Sequence, residues 1–301
     1  MIDISEKHTA SLVLGSGGAR GLAHIGIIEW LLENNFDIRA ISGSSIGALI
    51  GGIYAAGKLD IYKNWALALE RRHVISLLDL SFGKAGLFKG ERIINTLREL
   101  IGECNIEDLP ISFTAVAADI ETEKEVWFSK GPLFDAIRAS IATPTLFTPF
   151  ESNGRTILDG GLVNPVPIAP TLRDQTDITI AVNLSGKEKF SLDNPVVAEE
   201  DQPDKTTYRH SISHFIEGLY KKKEKSETEV MGLVNIVTKS IETMQNTIAR
   251  FKLASYTPDI IIEIPKNACG FFEFDRAEEM IALGRKNACD TISPFCSNRG
   301  Q

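Results

Sequence analysis

Residues 38–56, Ile38-Arg39-Ala40-Ile41-Ser42-Gly43-Ser44-Ser45-Ile46-Gly47-Ala48-Leu49-Ile50-Gly51-Gly52-Ile53-Tyr54-Ala55-Ala56, decide how this chain is read. Ile38 to Ile41 reads as a short buried strand. Ile46 to Ala56, rich in Ala, Ile and Gly, reads as a helix. Between them stands Gly43-Ser44-Ser45-Ile46-Gly47, a G-x-S-x-G pattern at a strand-to-helix turn. The turn is sharp, and side chains at the two glycine positions would collide. It lifts the serine Oγ clear of the strand and sets it at a helix N-terminus, where the dipole favours negative charge on oxygen. Ser45 is therefore the candidate nucleophile, and Ser44 is assigned a capping role. The competing interpretation is a plain Gly/Ser turn whose serines only cap the helix.

Upstream, Ser11-Leu12-Val13-Leu14 reads as a buried strand. Leu22, Ile25, Ile28, Leu31 and Leu32 share one face of a helix over 22–32. Strand, helix, strand, helix in this order argues for βαβ units and a parallel sheet. The joining loop, Gly15-Ser16-Gly17-Gly18-Ala19-Arg20-Gly21, offers consecutive backbone N–H groups at a helix N-terminus, a place for an anion. A dinucleotide fingerprint fits it poorly. Arg20 stands where the last glycine belongs, and the next strand leads to the serine turn and not to an acidic ribose ligand. The other reading is an oxyanion hole built from the amides of Gly17, Gly18 and Ala19. Arg20 then either supports the loop or pairs with a carboxylate as a structural residue.

A serine nucleophile needs a base. Of the five histidines, His8 is terminal, His24 is on the first helix and His73 follows a charged helix. Only His210 and His214 follow the Ser–acid–His order, and both lie in a polar stretch that is a poor platform for a base. Asp159-Gly160-Gly161 offers another solution: Thr156-Ile157-Leu158 delivers an aspartate into a turn whose glycines allow close backbone approach. Such a carboxylate needs burial to raise its pKa from about 3.9. A plain Asp-Gly turn is the bland alternative.

The remaining elements are less specific. Strands are expected over 113–118, 125–128, 177–184 and 259–264, and helices over 135–141 and 276–289. A longer helix over 230–251 has an apolar seam at Val230, Val234, Val237, Ile241, Met244, Ile248 and Phe251. That 3.5-residue repeat is expected to pack on the protein's own sheet, with a homodimer or lipid contact as alternatives. Residues 186–229 are polar and read as a flexible insertion. The composition is 43% hydrophobic and 24% charged with a net charge of -8, which argues against nucleic acid as a partner. No signal-peptide pattern or long apolar run is present. Cys104, Cys269, Cys289 and Cys296 show no metal-ligand spacing and read as free thiols of a reducing compartment. The expected location is cytoplasmic; peripheral membrane contact and secretion without a cleavable signal stay open.

Taken together, Gly15 to Gly21, Gly43 to Gly47 and Asp159 to Gly161 resemble the patatin-like phospholipases, in particular the bacterial branch whose loop reads G-S-G-G-x-R-G. Ala139-Ser140-Ile141-Ala142-Thr143-Pro144, Phe147-Thr148-Pro149 and Asn164-Pro165-Val166-Pro167 are similar to segments flanking that family's aspartate. The resemblance implies an α/β fold, a three-layer α/β/α sandwich around a mainly parallel sheet. It implies a Ser45–Asp159 dyad acting on acyl esters, commonly of phospholipids or lysophospholipids, with no cofactor or metal. The expected organisation is a single domain, 1–301, with a catalytic core over 10–185, the insertion over 186–229, and a C-terminal part over 230–301 packing on the core. A general carboxylesterase or thioesterase with a histidine triad is one alternative. A catalytically silent lipid-binding or regulatory protein is another.

Overall fold

In a computed structural model, which describes residues 6–81, 86–188 and 226–296, β1 (His8–Leu14) passes through a 3-10 turn (Gly18–Leu22) into α1 (Ala23–Glu33). β2 (Phe36–Ser44) then runs into α2 (Ile46–Ala55). Next come α3 (Leu59–Leu67), α4 (Arg71–Leu77), α5 (Glu91–Ile101), β3 (Ser112–Asp119), β4 (Lys124–Phe128) and α6 (Leu133–Ser140). They are followed by β5 (Phe150–Ser152), β6 (Arg155–Asp159), β7 (Ile178–Gly186), α7 (Ser226–Tyr256), β8 (Ile260–Pro265) and α8 (Ala277–Cys296). The sheet order is β5-β6-β3-β2-β1-β7-β8, with β4 on β3. Neighbours among β3, β2, β1, β7 and β8 are parallel, whereas β4 and β6 run antiparallel to β3.

The period of two along the strands creates the layers. Leu12 and Leu14 of β1, with Ile180 and Val182 of β7, enter a large core beneath α1, α2 and α8. Val13 and Ala181 point the other way and meet Val166, Ile168, Ala249 and Leu253. Helices thus cover both faces, as expected of an α/β/α sandwich. Each fully buried aliphatic side chain contributes about 2 kcal/mol toward offsetting the entropy of ordering the chain. Cys104, Cys269 and Cys289 are free thiols.

One expectation needs correction. α7 packs into the core through Ala249 and Leu253, and of its apolar seam Ile241 reaches a cavity wall. Val237, Ile241 and Ile248 of the seam are half-buried, while Met244 and Phe251 are 55% and 70% exposed. At about 100° per residue the packed stripe lies roughly a quarter-turn from the seam. The physical reason is on the packed side: Thr238, Glu242 and Gln245 face a cavity beside Ser45, and polarity there hides the stripe from a hydrophobicity pattern. The side chains of Val230 and Val234, and almost all of the 186–229 stretch, lie outside the described residues.

Candidate active site

Ser45 is the residue between β2 and α2, with φ 56° and ψ -123°. That backbone is strained for a residue with a side chain and persists only where the surroundings impose it. Close approach explains the flanking glycines. A Cβ on Gly47 would lie 2.1 Å from the Leu14 carbonyl oxygen, and one on Gly43 2.4 Å from Gly47 itself. The Ser45 N–H donates to Ser140 Oγ at 2.9 Å, and the Ser140 hydroxyl donates to the Val116 carbonyl at 2.6 Å. The end of α6 and β3 therefore hold the turn from below.

β3 also delivers the aspartate. Its Val116 pairs with Ser44 of β2, and the next residue, Ala117, pairs with Asp159 of β6. Ser45 Oγ donates to Asp159 Oδ2 at 2.7 Å. Thr143 Oγ1 donates to the same oxygen at 2.7 Å, and the Gly161 N–H donates to Oδ1 at 2.7 Å. Gly160 allows the turn, since a Cβ there would sit 2.1 Å from the Val116 carbonyl oxygen. Asp159 is 2% exposed. Burial pushes its pKa above the ordinary carboxylate value, opposed by the hydrogen bonds from Ser45, Thr143 and Gly161. A buried carboxylate in hydrogen-bond contact with a serine hydroxyl is positioned to take its proton.

The glycine loop is tethered through the amides of Gly15, Ser16 and Ala19. The Gly15 N–H donates to Val182 O, Ser16 N–H to Pro165 O and Ala19 N–H to Phe271 O at 2.9 Å. The Ala19 amide is thus committed to the protein itself, which corrects its expected place among the oxyanion donors. The Gly17 and Gly18 amides have no acceptor among the described residues. Gly18 holds φ 58°. Arg20 is buried and donates to Lys266 O at 3.3 Å and Cys269 O at 3.5 Å, with Glu242 of α7 at 4.0 Å. These contacts tie the 3-10 turn to the segment over 266–269 and to α7.

His24 is fully buried, and its Nε2 lies 3.0 Å from the Gly15 carbonyl oxygen. Burial lowers its pKa to about 4, against the opposing hydrogen bond to Gly15. The ring is neutral at pH 7, so Nε2–H donates and Nδ1 is the bare nitrogen. His73 accepts from the Glu70 N–H in a capping box. His210 and His214 lie outside the described residues.

Ser45, Asp159, Thr143 and Gly17 line one cavity, closed by Leu146, Phe271 and the α7 residues Ile241, Glu242 and Gln245. Thr143, which lines the cavity, and Ser140 and His24, which brace the serine turn and the glycine loop, are not marked by sequence motifs. Only the similarity over 139–144 points toward the first two.

A mainly parallel sheet between helix layers thus carries a strained serine turn beside a buried carboxylate. The chain belongs to the patatin-like phospholipase family, whose model matches residues 12–172, and is a lipid ester hydrolase. An uncharacterized NTE family protein of Mycobacterium tuberculosis, Rv1063c, is 37% identical over 97% of this chain and 93% of its own length. Neuropathy target esterase sws of Drosophila melanogaster is 28% identical over 71% of this chain and 14% of that protein. VipD from Legionella pneumophila aligns at a TM-score of 0.42 with 13% identity, over 96% of this chain and 67% of that one, too distant to add to the description of the fold.

Proposed function

We propose that the chain cleaves acyl esters of phospholipids or lysophospholipids with a Ser45–Asp159 dyad, the Gly17 and Gly18 amides receiving the oxyanion. The observation that carries this is the 2.7 Å contact between Ser45 Oγ and a buried Asp159 carboxylate. Ser45 Oγ attacks the ester carbonyl carbon as its proton passes to Asp159 Oδ2. The carbonyl oxygen becomes an oxyanion facing the loop amides, where one donor is worth about 3 kcal/mol of barrier. Collapse breaks the ester C–O bond, and the leaving oxygen takes the proton from Asp159. Water then attacks the acyl-serine, giving its proton to Asp159, and the free acid departs as Ser45 regains its hydrogen.

The test is product analysis of wild type beside Ser45→Ala and Asp159→Asn on a mixed phospholipid and lysophospholipid panel. Release of fatty acid by wild type alone supports the reading; full activity in either variant ends it. Met244 and Phe251 are exposed on the seam whose Ile241 lines the cavity, which favours contact with a lipid surface during turnover. No helix among the described residues is long and apolar enough to cross a membrane.

A further inference from the structure

We propose that Thr143 is a positioning residue of the hydrolytic reaction, its hydroxyl holding the Asp159 carboxylate toward Ser45 and letting go once that carboxylate has taken the serine proton. The proposal rests on the Ser45–Asp159 reading above. Thr143 is 9% exposed, and the backbone holds it in place: its N–H donates to Ile141 O at 2.7 Å, and its carbonyl accepts from Phe147 N–H at 2.9 Å. Its single hydroxyl proton has two acceptors within range, Asp159 Oδ2 at 2.7 Å and Ile141 O at 3.4 Å. One proton serves one of them well at a time.

The charge on Asp159 decides which. While the carboxylate is ionised, the shorter, charge-assisted bond wins. Two hydroxyls then converge on Oδ2, and the Gly161 N–H secures Oδ1, so the carboxylate cannot turn away from Ser45. When Ser45 Oγ bonds to the ester carbon, its proton moves to Oδ2 and the carboxyl becomes neutral. The Thr143 hydroxyl can then swing to Ile141 O. That leaves the new Oδ2–H free to give its proton to the leaving alkoxide oxygen as the ester C–O bond breaks. Atoms and charge balance with no other reactant.

The surroundings keep this carboxylate dependent on neutral donors. Besides Asp159, the ionisable group lining the cavity is Glu242 on α7, and Arg20 on the 3-10 turn lies 4.0 Å from it. His24 on α1 is turned to Gly15. No charged group hydrogen-bonds to Asp159 among the described residues.

The test compares pH profiles of kcat/KM for wild type, Thr143→Val and Thr143→Ser on a soluble ester. Removing a donor from a carboxylate raises its pKa, so the acid limb of Thr143→Val should move up by about one pH unit. Thr143→Ser, which keeps the hydroxyl, should restore the wild-type limb. A purely structural role would lower the melting temperature without moving that limb. A Thr143→Val limb superimposed on wild type overturns the proposal; Thr143→Ala serves the same comparison if the valine variant does not fold. Wild-type activity in Asp159→Asn, measured alongside, would instead bring down the dyad reading itself.

Discussion

Ser45 and Asp159 are 114 positions apart in the chain and 2.7 Å apart at their side-chain oxygens. β3 closes that distance, because successive residues pair first with the end of β2 and then with the end of β6. The two strands deliver a hydroxyl and a carboxylate to adjacent rungs of one template. Precision of this kind is set by strand register and not by loop conformation.

Burial of Asp159 carries a stability consequence with a definite sign. Its pKa is raised in the fold, so its ionisation opposes folding. Stability is lost as pH rises from the unfolded value of about 3.9 through the raised folded value. Asp159→Asn should therefore be inactive yet melt at a higher temperature than wild type at pH 7.5, with the gap closing near pH 4. Melting curves at both pH values decide this; a gap of the same size at each would rule it out.

His24 behaves in the opposite sense. Its pKa is lowered to about 4 in the fold, so the unfolded chain binds the proton more readily between about 6.5 and 4. Wild-type stability should fall across that window as pH drops, by about 3 kcal/mol at most. His24→Gln keeps a donor for the Gly15 carbonyl and cannot titrate, so this component should vanish. Urea unfolding at pH 4.5 and pH 7 measures it, and an unchanged slope in the variant would count against the assignment.

The committed Ala19 amide separates the loop residues. Gly18→Ala introduces a Cβ 2.6 Å from the Phe271 carbonyl oxygen at φ 58°, which must displace the amide proposed as an oxyanion donor. The expected loss is about 100-fold or more in kcat. Ala19→Gly, whose N–H remains bonded to Phe271 O, should keep kcat near wild type. Steady-state kinetics on a short p-nitrophenyl ester distinguish the two; equal losses would show that the loop acts as a unit.

Phe251 is 70% exposed on the outer side of α7. Phe251→Ser should leave hydrolysis of a soluble ester intact and weaken partition onto phosphatidylcholine vesicles about tenfold, as expected for removing one large apolar contact. Vesicle sedimentation reads this directly, and unchanged partition would release Phe251 from any lipid-facing role.

The parts legible in the sequence are those where one backbone demand meets one residue type. The serine turn shows because Gly43 and Gly47 are forced by contacts of 2.4 Å or less, and β1 and β2 show because buried parallel strands are continuously apolar. α3, α4 and α5 carry no such signature, and nothing in their local pattern places them relative to the sheet. Thr143 reaches Asp159 across a loop, and no sequence spacing encodes a contact between a loop residue and a strand end. α7 was legible as a helix but not in its rotation. Its most apolar stripe is partly in solvent, and the side that packs through Ala249 and Leu253 also carries Thr238, Glu242 and Gln245 at the cavity.

The tethers of the glycine loop have a consequence for the order of synthesis. Ser45, Asp159 and the loop all precede residue 172, where the family match ends. The groups that fix the loop include Lys266, Cys269 and Phe271. A growing chain thus carries every motif well before it carries the clamp that sets the loop amides in place. Hydrolytic competence is expected only after residues 266–271 have been made and β8 has docked, which keeps a lipid ester hydrolase inert during its own translation. Ribosome-stalled chains ending at residue 185 should accordingly react far more slowly with a fluorophosphonate probe than the full chain, and equal labelling would remove the delay.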